Sequence, residues 1–263
     1  GNYEVDVATD RGDEIGALSN SFQEMVVSLK EADEWKRRLI ADSAHELRTP
    51  VSLLQGNLEM IREGIYPADR EHIDSLYEET LLLSRLVGEL RDLADAQEGR
   101  KSYRFETCSL RELVAHILRS FRAQTEARQI DVKMEVVSGE CAVFGDCRKL
   151  SQAFSNIISN AVRYSPANGS IKVTVGEDEE KVEVTVEDSG EGIEPEEREK
   201  IFERFYRTDR ARNRATGGSG LGLAVSKEIL EVHGGRIYAE DALDLGGARI
   251  LVQLPKAGST EDE

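Results

Sequence analysis

The residues with the most evident chemistry lie in Ser43-Ala44-His45-Glu46-Leu47-Arg48-Thr49-Pro50, which sets an imidazole, a carboxylate, a guanidinium and a hydroxyl within two helical turns. A neutral imidazole is a nucleophile, and the neighbouring Glu46 carboxylate can hold or take its other ring proton as a general base. Thr49, one turn from His45, can orient a water. Pro50 cannot donate to the carbonyl of Glu46 and its ring crowds that turn, so the spacing predicts a bent helix where the chemistry sits.

Four later stretches share a second chemistry. In Asn156-Ile157-Ile158-Ser159-Asn160-Ala161-Val162-Arg163-Tyr164, the residues Asn156, Asn160 and Arg163 recur at helical spacing and share one face. Amides, a guanidinium and a phenol so aligned suit phosphate oxygens and a hydrated magnesium ion, which takes few protein ligands. A solvated helix face carries the same polar stripe. Glu187-Asp188-Ser189-Gly190-Glu191-Gly192-Ile193 ends a strand on a carboxylate with two glycines beyond it. An ionised Asp188 accepts hydrogen bonds only, which suits an exocyclic amine such as that of adenine. Gly190 and Gly192 let the backbone approach a flat ring, although a structural Asp-Gly turn reads alike. Gly217-Gly218-Ser219-Gly220-Leu221-Gly222-Leu223 leads straight into a helix, where backbone amides and the helix dipole bind phosphate. It is not the dinucleotide fingerprint, because no βαβ unit with a following acidic residue surrounds it. Residues 201–210 couple Phe202, Phe205 and Tyr206 to Arg204, Arg207 and Arg210, as a mobile lid over phosphates needs.

The elements that position these residues fall into a helical half and a mixed half. A coiled-coil seam runs Ile15, Leu18, Phe22, Met25, Leu29, Ala32, and a second runs Ile40, Ala44, Leu47, Val51, Leu54, Leu58, Ile61, Ile65. Steps of four through Ala32, Lys36, Ile40 and Ala44 form a stutter between them, near Trp35, which reads as a packing anchor. The second seam turns Ala44 and Leu47 inward and leaves His45, Glu46 and Thr49 accessible. Gly64 and Tyr66-Pro67-Ala68-Asp69 then signal a stop and restart, and a third seam runs Ile73, Leu76, Thr80, Leu83, Val87, Leu90, Ala94. An antiparallel hairpin follows, and its surplus apolar surface predicts a dimeric four-helix bundle.

After residue 101 the period changes. Ser109 and Asp146 are positioned to cap helices, 130–137 reads as a strand, and the alternating runs 171–175 and 182–186 read as a hairpin. A helix near 195–202, another over 221–233 and closing strands at 235–240 and 248–254 complete an α+β sandwich with helices on one face of a mixed sheet.

Composition narrows the partners. Fifty-one acidic residues against 34 Lys and Arg give a net charge of −17, which argues against a nucleic-acid surface. Cys108, Cys141 and Cys147 are odd in number and lack Cys-x-x-Cys spacing, which predicts reduced thiols with neither a disulfide framework nor a zinc site. His72, His116 and His233 read as structural or surface residues. No apolar run spans a bilayer, and the chain opens at Gly1 without a methionine, as an excised piece would.

Taken in order, the four stretches resemble the N, G1, F and G2 boxes of the ATP-binding domain shared by histidine kinases, Hsp90-type chaperones, gyrase and the MutL mismatch-repair proteins. The stretch from Ala44 to Pro50 resembles the H box of sensor histidine kinases, and Asp13-Glu14-Ile15-Gly16 resembles the end of a HAMP linker. Arg163 departs from the family, which more often has lysine there; the charge is kept and the fork geometry is not. The resemblance implies ATP and Mg2+ as cofactors. It implies that Asn156 contacts the metal, that Asn160, Arg163 and Tyr164 line the phosphates, and that Asp188, Gly190 and Gly192 hold adenine. Gly218, Gly220, Leu221 and Gly222 would shape the lid around the triphosphate, with Arg207 reaching the γ-phosphate. His45 would be phosphorylated and pass the group to an aspartate of a response-regulator receiver domain, while Glu46 and Thr49 resemble the pair such kinases use to dephosphorylate that partner.

The expected architecture is a HAMP end and signalling helix over 1–34, a dimerisation and histidine-phosphotransfer hairpin over 35–99, an ATP-binding domain over 100–256 and a disordered tail over 257–263. The same resemblance implies a homodimer, the cytoplasmic portion of a cell-membrane protein whose membrane region is missing from this sequence. Two alternatives stand beside it: a chaperone- or gyrase-like ATPase, and a non-catalytic scaffold that binds ATP as a switch.

Overall fold

The computed structural model describes residues 13–97, 103–208 and 218–258. Residues 1–12 of the expected HAMP and signalling-helix segment, Asp209, Arg210 and Gly217 of the lid region, and the end of the expected tail lie outside the described residues. The chain divides after Leu83 into two compact units, and α2 runs from the first into the second.

The first unit opens with α1, Glu14–Arg62, a single helix of 49 residues capped by Asp13, whose side chain accepts from the Gly16 amide at 3.1 Å. The seams predict helix on both sides of the stutter and of Pro50, and α1 runs through both. A proline removes one ladder bond, and the Leu-, Glu- and Arg-rich turns on either side favour helix strongly enough to continue past it. The apolar seam positions Ile15, Leu18, Met25, Leu29, Ile40, Val51 and Leu58 are exposed in the single chain. Gly64, in the left-handed region at φ 74°, follows the end of α1. Asp69 then starts α2, Arg70–Gln97, accepting from the His72 amide at 3.0 Å and meeting His72 Nδ1 at 2.7 Å.

The second unit is the expected α+β sandwich. Its main sheet has the order β2 (Asp131–Val136), β4 (Ser170–Glu177), β5 (Lys181–Asp188), β7 (Ala248–Pro255), β6 (Arg236–Asp241), with β2 parallel to β4 and the other neighbours antiparallel. Alternation decides the layering. Ile171, Val173 and Val175, then Val182, Val184 and Val186, then Ile250, Val252 and Leu254 are buried. Packed with them are α3 (Leu110–Ala127), α4 (Cys147–Tyr164) and α5 (Gly222–Val232). Phe154, Leu150, Ile157 and Ile158 of α4 are fully buried, each worth about 1.5–3 kcal/mol in transfer from water. Ser109 caps α3 and Asp146 caps α4, as their types predict.

Three local expectations are corrected. Two short strands, β1 (Glu106–Ser109) and β3 (Ala142–Gly145), pair antiparallel; four residues are too few for alternation to show in the sequence. Two single 3-10 turns, Pro195–Glu197 and Lys200–Phe202, stand where one helix was expected, since Phe202 is the only side chain of either turn that is buried. Cys108 and Cys147 are not separate thiols but a disulfide, their Cα atoms 5.7 Å apart, because the β1–β3 ladder brings together residues 39 apart in sequence. Cys141 is free and buried.

Candidate functional site

In the second unit the site is built from three element ends. Asp188 is the last residue of β5, a strand bonded on both sides, and its register partner is Ile171. Its side chain is buried, and Oδ1 accepts from the Gly190 amide at 2.8 Å and from the Ala248 amide at 3.3 Å. Oδ2 accepts from neither of these amides. Burial pushes this carboxyl above its ordinary value, against the pull of the two amides.

The glycines around it are required by close approach. A Cβ on Gly190 would stand 2.8 Å from both Asp188 Oδ1 and the Tyr164 carbonyl oxygen, so the G1-like turn touches the end of α4. Gly192 has φ 75°. Gly247, which sequence reasoning passed over, packs tightest: a Cβ there would lie 2.5 Å from the Gly190 nitrogen and closer still to the Asp188 carbonyl. The Gly246-Gly247 pair just before an alternating strand was the available signal. Glu187, also buried, accepts from the Leu243 and Asp244 amides at 3.2 and 3.3 Å and so shapes the same β6–β7 turn.

Helix α4 supplies the second side. Asn156 Nδ2 donates to the Gly222 carbonyl at 3.0 Å, which ties α4 to the first turn of α5. That use of Nδ2 leaves the amide oxygen as the acceptor end, the hard oxygen donor that magnesium takes. Asn160 lies one turn on, Arg163 lies against Gly218, where a Cβ would collide with the guanidinium, and Tyr164 is 41% exposed. Among the described residues no cluster of three or more His, Cys, Asp or Glu is placed to hold a metal. The donor set fits an ion held mainly by phosphates and water.

The third side is the glycine loop. Gly220 has φ 74°, and its carbonyl accepts from the Phe205 amide at 3.0 Å, joining the two ends of the lid-like segment. Leu221 is fully buried, anchors the start of α5 and donates its amide to Ser219 Oγ at 3.1 Å. Arg204 pairs with Glu228 of α5 at 3.4 Å, and Tyr206 donates to Glu197 at 3.1 Å. Arg207 is half-buried beside them. Glu89 of α2 was not foreseen: it accepts from the Ser219 hydroxyl, and its carboxyl is raised by burial against the opposing pull of Ser219 and Arg163. Asp92, one turn on, accepts from Gln152 of α4. Nothing in the polar side of a helical seam marks such residues in advance.

In the first unit, the His45 side chain is 76% exposed, and its Nδ1 stands 3.6 Å from Glu46 Oε1. Thr49 is exposed, Leu47 half-buried and Pro50 buried.

A buried acceptor at a strand end, glycines pressed against it and a glycine loop opening a helix define an ATP-binding domain of the kind shared by kinases, gyrase and chaperones. Residues 145–258 match the family described as histidine kinase-, DNA gyrase B- and HSP90-like ATPase, and residues 35–99 match the His Kinase A phospho-acceptor domain. The chain is 36% identical to the signal transduction histidine-protein kinase BaeS of Escherichia coli K12 over 97% of its own length and 54% of that protein's, so it spans about half of that relative. A solved structure of a mycobacterial sensor histidine kinase, MprB, is 32% identical, covering 57% of this chain and 97% of that one with a TM-score of 0.52. The histidine kinase ThkA, solved in complex with the response regulator TrrA, is 25% identical with a TM-score of 0.72, covering 88% of this chain and 65% of that one. The chain belongs to the sensor histidine kinase family.

Proposed function

We propose that the chain is the cytoplasmic portion of a homodimeric, membrane-anchored sensor kinase that phosphorylates His45 from ATP and passes the group to an aspartate of a response regulator. The domains are a HAMP end over 1–34, a dimerisation and phosphotransfer hairpin over 35–99, an ATP-binding domain over 100–256 and a tail. The observation that carries the reading is the pairing, on one chain, of an exposed His45 beside Glu46 with a buried Asp188 whose Oδ2 is kept for a base.

Phosphoryl transfer asks a protein mainly for positioning and charge stabilisation. Asp188 and the glycines around it fix the adenine, while Asn160, Arg163, Tyr164, Arg207 and the loop Gly218–Gly222 surround the phosphates. Asn156 would hold Mg2+, which would supply charge neutralisation at the phosphates. Glu46, 3.6 Å from Nδ1 of His45, is on the side to take that ring proton as general base and leave Nε2 as the nucleophile. Thr49, one turn on, positions water for the reverse reaction, dephosphorylation of the regulator. The exposed apolar seam of α1 supports a second copy as the covering partner, and the ThkA complex supports a receiver domain as the acceptor.

The test is incubation with magnesium and γ-labelled ATP. Label that is acid-labile and alkali-stable, lost in both His45→Ala and Asp188→Ala, is expected. Label surviving in His45→Ala, or ATP hydrolysis without any labelled protein, points instead to a chaperone-like ATPase. Nucleotide binding without transfer points to a scaffold.

A further inference from the structure

The third chemistry in the molecule belongs to sulfur, and neither phosphotransfer nor nucleotide binding uses it. Cys108 lies on β1, the first strand after residues 98–102, and Cys147 is the first residue of α4. The ladder sets Cys108 opposite Val143; the chain then leaves β3 at Gly145, turns at Asp146 and brings Cys147 back over Cys108 as a disulfide. The Cα separation of 5.7 Å is the ordinary one for such a bond.

The surroundings make this junction a docking point. Asp146 accepts from the Arg104 amide at 2.9 Å as well as from Arg148 and Lys149, so the segment entering β1 is tied to the first turn of α4. Tyr103 and Phe105 pack their rings 5.6 and 5.1 Å from that of His233, whose Nε2 accepts from the Asp146 amide at 2.9 Å. Cys108 is 4% exposed whereas Cys147 is half-buried, so Cys147 is the more accessible residue of the pair. Cys141 is fully buried with its sulfur turned to the Ser138 carbonyl at 3.1 Å.

We infer that Cys108 and Cys147 form a reversible thiol–disulfide modification site, a clasp between the segment entering the ATP-binding domain and the helix that carries Asn156, Asn160 and Arg163. In the cytoplasm, where the proposed function places the chain, a disulfide is characteristically redox-responsive rather than a permanent staple. The oxidant is a disulfide such as oxidised glutathione. Cys147 attacks as its thiolate, and one glutathione thiolate leaves. The Cys108 thiolate then attacks the Cys147 sulfur of the mixed disulfide and the second glutathione thiolate leaves. The two protons shed by the protein thiols pass to the two glutathiones, and a dithiol reductant reverses the exchange.

The test uses the full chain in a series of glutathione buffers from reduced to oxidised, quenched and alkylated after denaturation. The alkylated count is expected to fall from three to one, with Cys141 the survivor, and to return on dithiol treatment of the native protein. The oxidised form is expected to melt roughly 5–10 °C above the reduced form. Cys141→Ser should keep both responses, while Cys108→Ser and Cys147→Ser each lose them. Three alkylated thiols throughout the series would overturn the inference. So would a bond that the native protein does not release to reductant, or a melting response that persists in the Cys108→Ser/Cys147→Ser variant. None of these readouts depends on kinase activity, so a failure here is distinct from a failure of the proposed function.

Discussion

The Gly190 amide donates to Oδ1 of Asp188 at 2.8 Å from only two residues away, which commits one carboxylate oxygen to the protein and turns the other toward whatever fills the site. Asp188→Asn separates these two duties. The amide oxygen can take the place of Oδ1, so the turn survives, but an NH2 then stands where, under the proposed function, Oδ2 would meet the base. Burial raises the Asp188 carboxyl, so the stability tied to its protonated form is full below the ordinary value of 3.8 and is lost as pH rises through the raised one. Asp188→Asn should therefore melt at or above wild type at neutral pH while binding ATP roughly a hundredfold more weakly, a comparison for calorimetry and nucleotide titration.

Gly247→Ala tests the close approach. Its Cβ would meet only backbone and Asp188, none of which can swing aside as a flexible chain end does. About 1–3 kcal/mol of stability should be lost, with ATP affinity falling in parallel, read by denaturant unfolding. Gly246→Ala is the control: it has open space around it and pays only for its positive φ, about 1 kcal/mol, with little change in binding.

Asp146 predicts an acid limb. Burial pulls its carboxyl upward, but amide donors from Arg104, Lys149 and Arg148 outweigh that and hold it below 3.8. Its contribution is present above that value and lost as pH falls through the depressed one. Asp146→Ala should cost about 1–2 kcal/mol at neutral pH, and the gap to wild type should close in melts below pH 3.8.

Glu89 predicts the opposite slope. With its carboxyl raised first by burial, the stability of the protonated form is full below 4.5 and declines as pH rises through the folded value. Glu89→Gln keeps an acceptor for Ser219 and removes the charge, so its melting temperature should gain on wild type between mildly acid and neutral pH. ATP should also bind a few-fold more tightly, because a negative charge beside the glycine loop is gone.

The sequence disclosed most where one element carries its own pattern. The alternation in β4 and β5, the caps Ser109 and Asp146, and the ordered stretches around Asn156, Asp188 and Gly220 could all be read locally. It disclosed least where two distant segments meet. Cys108 and Cys147 become partners only through a ladder of four-residue strands, Glu89 reaches Ser219 from a helix whose polar side looks merely solvated, and Gly247 matters only because β7 lies beside β5. Pro50 shows a third case. The seam on either side of it predicts a helix that continues past the proline, and the helix-forming turns around it carry α1 through.

Because β5 is held by β4 on one side and β7 on the other, the acceptor proposed to read the base stands on a strand bonded along both edges. Guanine would bring its own acceptor oxygen against Oδ2 and find no give. The proposed phosphate side rests instead on the Phe205–Gly220 bond between loop segments and on the Ser219–Glu89 bond from loop to helix. Under the proposed function, the choice of nucleotide and the handling of its phosphates thus fall to different pieces of chain, so the second could be regulated without loosening the first.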